Sequence, residues 1–410
     1  MEKNLWMRST TAAWILVMAL ALIVVVTQAA QAQTFSPIFS FNNPGANGIF
    51  PFAGVTMDRS GDLYGTSNAA GSNGYGAVYK ATKGSGGGFV TLPLYEFAGG
   101  NDGSLPAARV VFGPQGDLYG TTSEGGGSGC RGLGCGTVFK LTPPPTACKS
   151  ALCPWTETVL YRFTGGADGA VPEYGDLTFD SAGAIYGTTS SGAYDYGTVY
   201  KLTNSGGNWT ESTLYAFTAN GDGFYPLGGV VFDQAGNLYG TADTGVFELS
   251  PSGSGWTETV LHQFAYETDG LGSEAGLVFD NQGNLYGNTH TLGPDEGGTI
   301  FELTPSGGSW SFQVLYAFQG GTGTTGSPLL LDGAGNLYGA RTSTLDGGGE
   351  TFELMPSGGS WNYVALHEFS GGNQGSTPYG SVVMDANGNL YGTSSGGGAH
   401  NFGMVYTITP

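Results

Sequence analysis

Gly276-Leu277-Val278-Phe279-Asp280-Asn281-Gln282-Gly283-Asn284-Leu285-Tyr286-Gly287 holds the decisive pattern of this chain. The apolar run 276–279 has the length and composition of a short strand buried on both faces. Asp280 opens a turn and Gly283 occupies the position that wants a positive φ, as in a type I turn followed by a bulge. Leu285-Tyr286-Gly287 then starts a second strand. Downstream, 299–305 reads as a third strand, Ser306-Gly307-Gly308-Ser309 as a turn, and 310–318 as a fourth. Four strands joined by hairpins are one blade of a β-propeller.

The second-strand tetrapeptide returns seven times, with tyrosines at Tyr64, Tyr119, Tyr186, Tyr239, Tyr286, Tyr338 and Tyr391. A regular period of this length marks a repeat architecture. The last copy stops at Pro410 after its third strand, and a segment resembling a fourth strand, Phe35 to Phe41, stands alone at the other end. A closed ring explains both, because pairing the two ends completes the last blade and removes two sheet edges. The expected fold is therefore all-β, a seven-bladed propeller closed by an N-terminal outer strand. Residues 33–410 are expected to form one propeller, with blades at about 52–97, 108–163, 175–217, 228–264, 275–318, 328–369 and 380–410 plus 35–41.

Residues 1–32 read as a secretory signal. Lys3 and Arg8 precede the apolar run 12–26, and Ala30-Gln31-Ala32 is a small-x-small cleavage site. Fifteen apolar residues fall short of the ~20 that a spanning helix needs, and no apolar or basic tail precedes Pro410. A cleaved product beginning at Gln33, secreted or periplasmic, without a membrane span, is expected. A formal net charge of -20 repels phosphate backbones and anionic membranes, which argues against a nucleic-acid partner. Glycine supplies 76 of the 410 residues, yet Tyr, Phe, Val and Leu are plentiful, a mixture that suits many short strands joined by tight turns.

The pattern Gly-Leu-Val-Phe-Asp-x-x-Gly-Asn-Leu-Tyr-Gly-Thr, then Gly-Thr-Val-Phe-Lys-Leu-Thr-Pro, then Trp-x-Glu-x-x-Leu-Tyr-x-Phe, resembles the GloVer tandem repeat of exported bacterial proteins over the whole region after residue 32. That resemblance implies an exported repeat protein and assigns no chemistry.

Trp155, Trp209, Trp256, Trp310 and Trp361 share one slot at the start of a fourth strand, so packing is their expected role. Asp58, Asp180, Asp233, Asp280, Asp332 and Asp385 open the first turn of their blades and are expected to be turn formers. Asp102, Asp168, Asp222 and Asp269 each follow the closing Phe of a blade by five residues and precede Gly. Two readings apply to this crescent of acids: Asx turns at the blade junctions, or a cation site, with calcium as the ion, if the loops converge at the axis. His290 and His400 lie in Gly-rich loops between second and third strands and are the candidates for acid–base chemistry. No nucleophile elbow, phosphate loop, zinc spacing or dinucleotide fingerprint is present, and no cofactor is required.

Cys130 and Cys135 precede the third strand of the second repeat, whereas Cys148 and Cys153 follow it. A strand of eight residues spans roughly 25 Å, too far for a bridge. The expected disulfides are Cys130 with Cys135 and Cys148 with Cys153. Taken together, these features point to a binding or scaffolding module whose extracellular ligand is a glycan or surface protein. The alternative is a lyase or hydrolase with its site on the same loops. Ligand contact is expected on the face made by the loops between second and third strands and by the blade junctions, where the repeats diverge most.

Overall fold

A computed structural model of the protein describes residues 33–42, 47–84, 88–145, 155–192, 194–320, 322–324, 328–345 and 347–410. These residues form seven antiparallel sheets, a seven-bladed β-propeller with two single-turn 3-10 segments and no α-helix. In the fifth blade the strands are Val278–Phe279, Leu285–Asn288, Glu296–Ser306 and Ser309–Gln319, hydrogen-bonded in that order. The sixth sheet gains one more strand, Thr322–Thr324, beside Leu337–Ser343. The presumptive signal segment 1–32 lies outside the described residues.

Ring closure follows from the orphan strand. Thr34–Ser40 pairs antiparallel with Met404–Thr409, with Phe35 opposite Ile408 and Ser40 opposite Met404. The seam is packed as well as paired: Phe35 stacks on His367 with centroids 3.6 Å apart, and Phe41 is fully buried against Tyr79.

Each residue of the repeated tetrapeptide has a separate packing reason. Its leucine or isoleucine is buried in every blade. Its tyrosine hydroxyl donates to the Asp of the preceding turn in six blades, for example Tyr64 to Asp58 at 3.0 Å and Tyr391 to Asp385 at 3.1 Å. Its glycine lies under the aromatic ring of the third strand: a Cβ at Gly287 would stand 2.5 Å from Phe301 Cζ, and one at Gly392 2.5 Å from the Tyr406 hydroxyl. Its threonine ties one blade to the next. Thr66, Thr188 and Thr241 donate to the carbonyls of Ala108, Gly228 and Ala275, and Thr393 does the same to Ala53 across the closing seam at 2.8 Å.

The Trp slot is a second inter-blade contact. Trp155, Trp310 and Trp361 lie edge-on to Tyr64, Tyr239 and Tyr286 of the preceding blade, and Phe89 meets Tyr391 in the same way across the seam. Fourth strands are bulged at the leucine of Leu-Tyr-x-Phe, as shown by the register shift between Ile300 and Phe301 against Tyr316 and Val314. One extra residue there breaks strict alternation and sharpens the local twist.

The innermost residues surround a central shaft. Val55, Val110, Leu177, Val230, Leu277, Leu329 and Val382 are buried. Arg109, Asp176, Gly229, Gly276, Pro328 and Ser381 line the shaft, a cavity of about 300 Å³.

Candidate functional site

The acids of the crescent are held by local turns. Asp102 Oδ2 accepts from the Tyr95 hydroxyl at 2.9 Å and the Ala98 amide at 2.8 Å. Asp168 accepts from Tyr161 and from Thr164, and Asp222 from Tyr215 and Thr218. Asp269 receives the Ala265 amide and Thr268, with His262 Nε2 at 2.8 Å standing where the other blades have Tyr. Hydrogen bonds of this kind favour the charged form: although burial opposes ionisation, the donors around Asp222 and Asp269 hold both carboxyls below the usual range. The structure does not draw the four together at the axis. Among the described residues no three His, Cys, Asp or Glu side chains are grouped so as to hold a metal ion.

Sequence reading missed what faces these acids. The Glu of Trp-x-Glu on the next blade feels the charge of the junction Asp: Glu157 that of Asp102, Glu211 that of Asp168 and Glu258 that of Asp222. Burial first, and then the charge of Asp102 or Asp222, pushes Glu157 and Glu258 up to about 7. The spacing between the repeated Glu and the repeated Asp was the available signal. It is legible only once neighbouring blades are known to touch there.

Both predicted histidines stay on the loop face. His290, between Leu285–Asn288 and Glu296–Ser306, hydrogen-bonds through its amide to the Leu271 carbonyl, and its Nδ1 is buried without a partner. His400 is exposed in the loop before Met404–Thr409. They belong to the fifth and seventh blades.

The structure gathers a different set at the mouth of the shaft. Tyr174 and Tyr379, from the junctions entering the third and seventh blades, have ring centroids 5.5 Å apart. Phe52, from the first blade, meets Tyr379 edge-on at 5.4 Å. The Tyr379 hydroxyl donates to Glu274 Oε2 at 3.1 Å, spanning the mouth to the fifth blade. Burial raises the carboxyls of Glu173 and Asp243, and the charge of Glu274 adds to both shifts.

Beside this mouth lies a cleft of about 290 Å³ on the loop face. Phe52, Glu173 and Tyr174 form its axial wall, and Glu124, Cys130 and Leu133 its outer wall. Cys130 and Cys135 are joined, with Cα atoms 5.2 Å apart, so the enlarged loop of the second blade is a closed hairpin at that wall. Cys148 and Cys153 fall outside the described residues.

Of the eleven exposed large apolar side chains among the described residues, seven, including Tyr75, Leu133, Tyr194 and Tyr266, lie in loops or junctions of this face, and the other four lie on outer strands. Among the described residues, all fourteen non-glycine residues with positive φ also lie on this face, and none lies in the hairpin turns of the opposite face. Five of them, Phe50, Leu105, Val171, Tyr225 and Thr377, precede a proline at equivalent junctions and belong to the repeat. Leu292, equivalent to Ala70 and Gly192, and Asp195, equivalent to Glu296 and Asn401, also hold recurring positions, whereas Cys130, Arg131 and Tyr194 have no such counterpart and mark where the loops depart from the repeat.

The sequence profile of the Gloeobacter/Verrucomicrobia repeat matches residues 23–246 and 241–410. The chain belongs to this repeat family. No curated protein matches it. Among solved structures, this Gloeobacter/Verrucomicrobia repeat protein is similar to the extracellular domain of a candidate one-component system from B. thetaiotaomicron, at 11% identity and a TM-score of 0.55. The match covers 92% of this chain and 40% of that one, so the repeat protein spans about two fifths of that extracellular domain. A candidate 6-phosphogluconolactonase from Bacteroides uniformis is similar at 16% identity and a TM-score of 0.50, over 81% of this chain and 88% of that one. At such identities these likenesses show the propeller fold, which hosts binding proteins and enzymes alike. Among the described residues no helix is long and apolar enough to cross a membrane.

Proposed function

We propose that the protein is a non-enzymatic binding module of the cell envelope or exterior, whose ligand enters the cleft between the Cys130–Cys135 hairpin and the mouth of the shaft. The observation that carries this reading is the composition of that cleft: Phe52, Tyr174 and Glu173 on one wall and Glu124 and Leu133 on the other, around a volume fit for a small molecule or a side chain of a larger ligand. Phe52, Tyr174 and Tyr379 share a repeat position that holds Ala107, Leu227 and Glu274 in other blades, so the fold does not require an aromatic ring there. His290 and His400 do not line the cleft.

The test is a thermal-shift screen of glycans and small polar molecules on the chain from Gln33. A ligand that binds only the folded state raises stability by RT ln(1 + [L]/Kd). Tyr174→Ala should abolish the shift produced by any hit while leaving the unliganded melt nearly unchanged. A hit whose protection survives Tyr174→Ala, or whose footprint lies on the Asp-x-x-Gly turns of the opposite face, overturns the assignment.

A further inference from the structure

The cleft and the mouth together have an uncompensated charge. Glu124 and Glu173 line the cleft, and no Lys, Arg or His does. Glu274 lies across the mouth from Tyr174, bonded to Tyr379, and its charge is felt by Glu173 and by Asp243. The one cation of the shaft beneath, Arg109, is engaged by Asp176, with Nε 3.0 Å from Oδ2. Three aromatic rings border these carboxylates: Tyr174 and Tyr379 at 5.5 Å, and Phe52 against Tyr379 at 5.4 Å.

A second observation comes from Ser381, two residues beyond Tyr379. Its side chain is 4% exposed and lines the shaft, yet its hydroxyl has no hydrogen-bond partner. A buried hydroxyl left unpaired is unfavourable, so a polar group reaching the shaft would find a free donor and acceptor there.

Deepening the reading above, and resting on it, we propose that the cleft takes an organic ammonium ion bearing a hydroxyl group, its cationic head against Phe52 and Tyr174 with Glu124 and Glu173 as counter-charges. An ammonium held over an aromatic face is attracted by the ring quadrupole. Carboxylates supply the charge that the rings lack, and the overall charge of -20 steers cations toward the molecule. A metal ion fits less well, because a hard cation takes about six or more oxygen ligands and gains nothing from the faces of the Phe52 and Tyr174 rings.

The experiment compares choline, ethanolamine and the uncharged carbon isostere of choline, 3,3-dimethylbutan-1-ol, by calorimetry and thermal shift at millimolar concentration and low salt. The cations should raise the melt and the isostere should not. Glu173→Gln and Tyr174→Ala should each weaken cation binding on the order of tenfold, with unliganded melts recorded to confirm folding. Absence of any cation shift, or equal protection by the isostere, overturns the ammonium inference. If a neutral glycan still protects in a Tyr174-dependent way, the cleft stands and only its ligand class is wrong. Cation protection that is untouched by Tyr174→Ala overturns the site itself.

Discussion

The two faces of the ring use the same acid–hydroxyl clamp and differ in everything around it. On the turn face, Asp280 Oδ1 accepts the amides of Gln282 and Asn284, and its other oxygen meets the Tyr286 hydroxyl. On the loop face, Asp222 Oδ1 accepts the Asn220 amide and Oδ2 the Tyr215 hydroxyl and the Thr218 amide. Glycines then carry the turns of the first face, whereas the second accommodates Cys130, Arg131 and Tyr194 at positive φ and exposes Tyr194 and Tyr266 to solvent. A conformation that costs an L-residue about 1–2 kcal/mol and recurs at no fixed repeat position is not demanded by the blade. The contrast separates what each blade must keep from what it is free to vary.

The largest expected effect tests that separation directly. Deleting 34–40 strips the outer strand from Met404–Thr409 and removes Phe35 from His367 and Tyr406. It should cost several kcal/mol in a denaturant titration, since one core aromatic alone contributes ~3–5 on truncation. Opening the Cys130–Cys135 hairpin with paired Ser substitutions closes no ring and should cost about 2 kcal/mol or less, given so short a loop. Equal losses would mean that the irregular loop is as necessary to the fold as the closing strand.

A smaller effect asks whether the two clamps are alike. Asp280→Ala and Asp222→Ala should each destabilise by about 1–3 kcal/mol, because each leaves a buried hydroxyl and backbone amides without their acceptor. If Asp222→Ala is silent while Asp280→Ala is not, the loop-face acids are free for another role.

The smallest concerns the carboxyl pairs at the blade junctions. Glu157 and Glu258, pushed up to about 7 by burial and by Asp102 and Asp222, bind protons more tightly in the folded than in the unfolded chain. Their contribution is complete below the ordinary Glu range and is lost as pH rises through about 7. Melts between about pH 5 and about pH 8 should therefore decline, modestly because both groups are partly solvated. Replacing both by Gln should flatten that decline. The depressed carboxyls, Asp222 and Asp269, act in the opposite sense at the acid end, where they lose stability as pH falls through their folded values.

The blade was legible in Gly276 to Gly287 because every determinant within it is local: a two-sided apolar run, an Asp that caps its own turn, a glycine at positive φ. Closure was legible from the unmatched segment after Gln33 for the same reason, since a missing strand can be counted without knowing where it goes. The Cys130–Cys135 bridge followed from strand length. The bulge at Leu315 was not legible, because a skipped residue leaves the composition of the strand unchanged.

Sequence alone thus determined the period, the four-strand blade, the ring and the face on which the repeats diverge. Only the tertiary structure decided that Thr393 would reach Ala53, that Glu157 would feel the charge of Asp102, and that Tyr174, Glu274 and Tyr379 would meet at one mouth. Repetition writes contacts within a blade into each copy. Contacts across the axis join single residues from distant copies, and these exist only after seven twisted sheets have closed into a ring.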